Sequence, residues 1–134
     1  MIVVDTNVIA YLFLPGSRTA DAEKLLTADP VWAVPLLWRS EFRNVLAGYL
    51  RRGDLTHAQA NELLSVAETM LKTHEYLVPG NDVLDLVNRS DCSAYDCEFV
   101  ALAKAHAVPL VTENARVRRA LPRVARSIAE FLRG

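Results

Sequence analysis

The sequence has little of what builds a soft-metal or thiol site: two cysteines and three histidines, nowhere clustered. Cys92 and Cys97 stand in a C-x4-C spacing with no second Cys or His pair, which excludes a zinc signature. They read as free thiols, Cys97 packed in a helix. His57, His74 and His106 are scattered and lie near no obvious Ser or Cys nucleophile, which argues against a triad. Excess positive charge is missing too. Fifteen Lys and Arg face 16 Asp and Glu for a formal net charge of −1, so a uniformly basic nucleic-acid coat is excluded and any polyanion must meet a local patch. No basic leader with a small-residue cleavage site and no bilayer-length apolar run is present, so the expectation is a cytoplasmic protein with no membrane partner. Repeats, linkers and low-complexity tracts are also lacking. What is there, 134 residues of which 51% are hydrophobic, suits a single domain over residues 1–134 with a real core.

The stretch from Met1 to Ala10 is apolar and β-branched and then breaks into Asp5-Thr6-Asn7. It predicts a central parallel strand buried on both faces, with Asp5 at its carboxyl end, where open α/β sheets bind their ligands. The bland alternative is that Asp5 merely caps the turn or helix that follows. A helix from Ser17 or Thr19 to about Ala28 and a short strand Val31–Val34 stopped by Pro35 continue a β-α-β rhythm.

From about Leu37 to Arg52, the residues Leu37, Trp38, Phe42, Val45, Leu46, Tyr49 and Leu50 recur at helical spacing. Glu41 emerges between two of them, where a carboxylate costs several kcal/mol unless paired, hydrogen-bonded or bound to a cation. A salt bridge to Arg39 or Arg43 is the alternative, and Arg39 itself falls near the stripe. Gly53-Asp54 marks a turn, and Thr56-x-x-Gln59 reads as a capping box opening a helix through Leu71. Tyr76–Pro79 suggests a strand, and Asn81 can cap a helix carrying Val83, Leu84 and Val87.

Ser93 through Lys104 predicts a further helix capped by Ser93, with Asp96 in its first turn. Ser93-x-x-Asp96 matches a capping box, yet Asp96 shares a face with Val100 and Ala103, an odd place for a solvated acid. Ala101 and Ala103 keep this helix slim against the sheet. Val108–Thr112 is a second short apolar run ending in polar residues, Thr112-Glu113-Asn114. If it neighbours the first strand, Asp5 and this turn meet in one crevice. Beyond Ala115, Arg116, Arg118, Arg119, Arg123, Arg126 and Arg133 face a single acid, Glu130, giving the local basic patch that the net charge conceals.

Asp5, Glu41 and Asp96 together would repel: two unit charges about 4 Å apart cost about 4 kcal/mol at an effective dielectric near 20. Such a cluster needs protons or a cation, and hard oxygens without His or Cys favour Mg²⁺ or Mn²⁺. A water on that ion can attack a phosphodiester in line.

Four segments carry a resemblance: Val3–Ala10, the Glu41 helix Trp38–Leu46, Ser93–Ala103 and Pro109–Asn114. In this order the chain resembles the PIN-domain ribonucleases, and more narrowly the VapC toxins of toxin–antitoxin pairs. The resemblance implies an α/β, PIN-like three-layer fold, a central parallel sheet flanked by helices, and metal-dependent RNA cleavage at the carboxyl edge of the sheet. It makes Asp5 and Asp96 the metal ligands, Glu41 a further acid, and Thr112 and Asn7 orienting groups. The usual fourth acid should stand two residues after Thr112, where this sequence has Asn114. Glu113 is adjacent, but its side chain should point elsewhere. A small antitoxin and a second copy of the chain are the implied partners, and Trp32, Leu36, Leu37 and Trp38 offer apolar surface for such an interface. Two other classes compete. A haloacid-dehalogenase-type phosphatase expects an Asp two residues after Asp5, where Asn7 stands, and a catalytically weakened PIN-like RNA- or partner-binding module could follow from the missing acid.

Overall fold

The computed structural model describes residues 1–134. The first apolar stretch breaks at Asp5, as expected. Only Ile2–Val4 is strand (β1), and Thr6–Phe13 turns at once into helix α1. Asp5 is the hinge between them, extended at φ −78° and ψ 161°, its side chain accepting from the Thr6 N–H as a helix cap. Val8 and Ile9 prefer strands by type but are wholly buried on α1, so packing overrides propensity there.

Helix α2 (Thr19–Ala28) leads into β2 (Trp32–Pro35), which takes in Pro35 as its last residue. Pro35 is tolerated because it lies at the strand end, and the Leu36 N–H makes the next bond, to the Tyr76 carbonyl. Helix α3 runs from Leu37 to Arg52 as the periodicity predicts. It stops at Gly53, whose φ of +78° is the left-handed cap that glycine adopts without strain. The Thr56 capping box opens α4 (His57–Leu71). β3 is Glu75–Tyr76, shorter and earlier than expected, because Pro79 caps α5 (Gly80–Asn88) and places Asn81 inside the helix. Then follow α6 (Ala94–His106), β4 (Leu110–Val111), α7 (Ala115–Ala120), β5 (Ala125–Arg126) and α8 (Ile128–Arg133).

All five strands are parallel, in the order β3-β2-β1-β4-β5. The chain winds outward from β1 through β2 and β3 on one side, then restarts at β4 on the other. The β1/β4 boundary is therefore the topological switch point, where open sheets leave a crevice. Helix α6 lies against β1, β2 and β4, and α5 packs on α6; α3 and α4 pack on each other and reach β2. Ala101 and Ala103 of α6 are buried, which lets that helix approach the strands closely. This is an α/β fold, a central parallel sheet flanked by helices.

Two expectations about α3 change. Trp32 and Trp38 are buried in the chain's own core, Leu37 is half-buried, and of the proposed interface residues only Leu36 is exposed, at 43%. The aromatic part of the surplus apolar surface is thus already used. Arg39 lies near the apolar stripe because it holds a polar seam. Its guanidinium donates twice to Glu75, at 2.6 and 2.8 Å, and also pairs with Glu68; the Trp38 indole donates to the same Glu75 at 2.6 Å.

The Arg39 guanidinium joins α3, α4 and β3, with Glu75 taking most of its bonds, so Glu75→Gln should cost about 2 kcal/mol near neutral pH, the scale of hydrogen bonds to a charged group. The Arg39 hydrogen bonds hold the Glu75 carboxyl below its ordinary range, although burial opposes them. Its contribution is therefore complete above the ordinary carboxylate range and is lost as pH falls through the lower folded value. Denaturant unfolding should show the variant's deficit near neutrality and its closure in acid; equal stability near neutrality would contradict the seam's role.

Candidate active site

Parallel pairing of β1 with β4 aligns Val4 with Val111 and brings the two strand ends together. Asp5 and Thr112 follow directly. The Thr112 hydroxyl donates to Asp5 Oδ2 at 2.7 Å, while Asp5 Oδ1 accepts from the Thr6 N–H at 2.8 Å. Thr112 in turn accepts from the Asn114 N–H at 3.0 Å, so one hydroxyl fixes both the acid and the turn beside it. Asp5 thus performs the capping role and still aims a carboxylate at the switch point. Only 8% of it is exposed. Burial pushes its pKa up, outweighing these hydrogen bonds, and the Asp96 charge adds to the rise.

Glu41 enters from α3. The Thr6 hydroxyl donates to its Oε1 at 2.6 Å, and no arginine reaches it: Arg39 is occupied by Glu75 and Glu68, and Arg43 by Ser40. The salt-bridge alternative is therefore not realised. Burial again raises the pKa of Glu41, and the charges of Asp5, Asp96 and Glu98 reinforce it against the Thr6 bond. Neither Thr6 nor Glu98 stood out in the sequence. The signal for Thr6 was its position directly after the strand-end acid; Glu98 carried none.

Asp96 comes from the first turn of α6. Ser93 accepts from the Asp96 N–H at 3.1 Å, but the reciprocal half of a capping box is not formed. The Asp96 carboxylate instead faces Asn114, whose Nδ2 lies 3.5 Å from Oδ2. Asn114 caps α7, its Oδ1 accepting from Arg116 and Val117 at 3.0 and 3.3 Å. Its oxygen is thus committed to the helix and its N–H₂ side is turned to the acids. Asn7 accepts from the Glu113 N–H at 3.4 Å and ties α1 to the same turn. Glu113 points away, as expected, to Arg18 at 3.1 Å and to the Ile128 N–H at 3.0 Å.

Asp5, Glu41, Asp96 and Asn114 border one open cleft of about 470 Å³ whose lining contains no Lys, Arg or His. A smaller hollow of about 250 Å³, beside Asp82, Asp85 and Lys104, mixes acids with a base and gathers no such set. The basic tail is not a single patch. Arg116 follows Asn114 by two residues on α7, Arg118 pairs with Glu130 at 3.5 Å, and Arg123 lines a hollow beside Val108 and Pro109 that precede β4, whereas Arg126 pairs with Val111 at the carboxyl end of that strand.

The donor set fits a hard divalent ion. It consists of oxygens, it is negative, and nothing in the cleft neutralises it. No three acids are drawn close enough to form a closed cage. Asp5 and Asp96 would hold it, with Glu41 within electrostatic reach.

Comparison with known proteins bears on the family and the fold. The PIN domain family model matches residues 2–121. Ribonuclease VapC3 of Pyrobaculum aerophilum is 28% identical over 124 residues, covering 90% of this chain and 95% of that protein. Among solved structures, FitAcB of Neisseria gonorrhoeae superposes with a TM-score of 0.76 at 16% identity, covering 96% of this chain and 99% of that one. A toxin–antitoxin complex from Klebsiella pneumoniae gives 0.72 at 18%, covering 96% and 98%. These likenesses extend the fold over nearly the whole chain. With its switch-point acids and a family match over almost all its length, the chain belongs to the PIN domain family.

Proposed function

We propose that this protein is a Mg²⁺- or Mn²⁺-dependent endoribonuclease, the toxin of a toxin–antitoxin pair, hydrolysing RNA phosphodiester bonds. The observation that carries the reading is the convergence of Asp5, Glu41 and Asp96 on one cleft without a neutralising cation. The similarity to ribonuclease VapC3 supports RNA as the substrate. The Klebsiella relative, a toxin–antitoxin complex, supports a small antitoxin as a partner. A second copy of the chain is the other partner, with the exposed Leu36 as the surface that remains for it.

Asp5 and Asp96 are the ligands in this reading. The bound ion supplies Lewis acidity at the phosphate and an acidified water. Thr112 holds Asp5 in one rotamer, so the carboxylate is in place before substrate arrives. Glu41 is fixed at Oε1 by Thr6 and makes no protein hydrogen bond through Oε2, which leaves that oxygen free to orient the attacking water. Attack forms the new P–O bond as the bond to the leaving ribose oxygen breaks. Arg116, two residues after the cleft-lining Asn114 on α7, is the member of the basic tail we assign to the phosphate chain.

Asn114 favours a second reading, a weakened nuclease that chiefly binds RNA or a partner. Its oxygen is used by α7, so it offers the ion no ligand. One assay separates the readings. Purified protein should cleave RNA with Mg²⁺ or Mn²⁺ and lose all cleavage on chelation, whereas undiminished cleavage in chelator, or none with either ion, would refute the enzyme reading.

Asp5→Asn and Asp96→Asn should each abolish cleavage while leaving the protein folded, since Asn caps α1 as well as Asp does and Ser93 caps α6 without help from Asp96. An Asp96→Asn variant with full activity would remove that residue from the site. Asn114→Asp keeps the α7 cap and turns an N–H₂ into a charged oxygen beside Asp96. Mn²⁺ affinity should then rise by about tenfold or more, well inside the Coulomb bound for one added charge. Unchanged affinity in calorimetric titration would mean that position 114 does not face the ion.

A further inference from the structure

Tyr95 immediately precedes Asp96 on α6 and borders the same cleft as the three acids. It is 63% exposed. The chain has four tyrosines, and the other three pack against the core with a ring face already in use. Arg18 lies over Tyr11 at 4.9 Å, Arg52 over Tyr49 at 4.6 Å, and His106 sits 4.5 Å from Tyr76. The Tyr95 ring has no aromatic or cationic neighbour of this kind, and its hydroxyl has no hydrogen-bond partner. Scattered exposed apolar side chains need no explanation, but this one stands at the mouth of the acidic cleft and neither caps nor packs its helix. Opposite it, Ser40 and Asn44 lie four residues apart on one face of α3, both exposed and both lining the cleft. The Asn44 amide makes no hydrogen bond within the protein, so its donor and acceptor are both free. A flat aromatic face, a free amide and a hydroxyl around a space of this size match what single-stranded RNA recognition uses: an unstacked base laid on a ring and read along its edge.

We propose that Tyr95 is the stacking platform for an unpaired RNA base next to the scissile phosphate, with Asn44 and Ser40 contacting the edge of that base. This inference rests on the ribonuclease reading above.

The test uses the full chain with Mn²⁺ and single-stranded RNA oligomers carrying 2-aminopurine on either side of a mapped cut. Stopped-flow fluorescence should show quenching that precedes cleavage. Tyr95→Ala and Tyr95→Leu should both abolish the quenching and raise KM about tenfold, the scale of one lost base–aromatic stack, with little change in kcat. Tyr95→Phe should recover both. Calorimetric Mn²⁺ affinity should be the same in all four proteins, since Tyr95 is not a ligand. Equal KM and quenching in Tyr95→Ala, in a protein that does cleave, would overturn the platform and leave the ribonuclease reading intact. A Leu variant as good as Phe would also overturn it, by showing that the position needs only apolar cover, as a protein partner would. No cleavage by the unaltered chain would overturn both.

Discussion

The 2.7 Å hydrogen bond from Thr112 to Asp5 joins two residues 107 positions apart, and the active end of the molecule is arranged around it. Asp5 sits at the carboxyl end of the central strand, where the backbone turns into α1. A carboxylate buried there costs several kcal/mol unless its oxygens are satisfied. One oxygen is satisfied locally, by the Thr6 N–H, and the other only if β4 is paired in register beside β1. The same Thr112 hydroxyl receives the Asn114 N–H and so sets the turn that starts α7. Register, cap and acid position are thus one constraint, and moving any of them disturbs the others.

How the protein treats its other shielded acids makes the site distinct. Glu75 is bound by Arg39 and Trp38, and Glu113 by Arg18 and the start of α8. At both of these acids an arginine accompanies the carboxylate. Asp5 receives a hydroxyl and a backbone N–H, Glu41 a hydroxyl and Asp96 a distant amide, none of them a cation, and burial raises the pKa of the first two. A fold that supplies arginines elsewhere and withholds them here leaves a deficit of positive charge that a divalent ion can fill.

Much of this was legible in the sequence because the signals were local. Asp5, Glu41 and Asp96 each broke an apolar pattern, at a strand end, on an inward helix face and in a first helical turn. The α3 boundaries and the Thr56 cap followed from periodicity and capping chemistry. What escaped depended on distant partners. Nothing near Thr6 announces that its hydroxyl will meet Glu41, and nothing near Arg39 points to Glu75. Helix α1 was offered only as an alternative reading of Asp5 as a cap, because Val8 and Ile9 are poor helix formers by type and only the surrounding core, which buries them, decides the matter. The arginine-rich tail read as one patch because a linear count cannot see that Arg118 is paired with Glu130 and that Arg123 lies beside Val108 and Pro109, before β4 begins. Asn114 shows both sides of the limit. Its departure from the family pattern was plain, but which of its atoms faces Asp96 emerged only with the α7 cap in place.

The central claim is that the folded protein holds a divalent cation on these acids, and ligand-linked stability tests it without reference to any RNA. An ion that binds only the folded state at a free concentration of 100 times its Kd adds about 2.7 kcal/mol to stability. Thermal unfolding of the unaltered chain should therefore shift upward by several degrees as Mn²⁺ is titrated in, and Asp5→Asn should lose most of that shift. An unaltered chain whose unfolding temperature ignores Mn²⁺, or an Asp5→Asn variant that gains as much from it, would contradict the account.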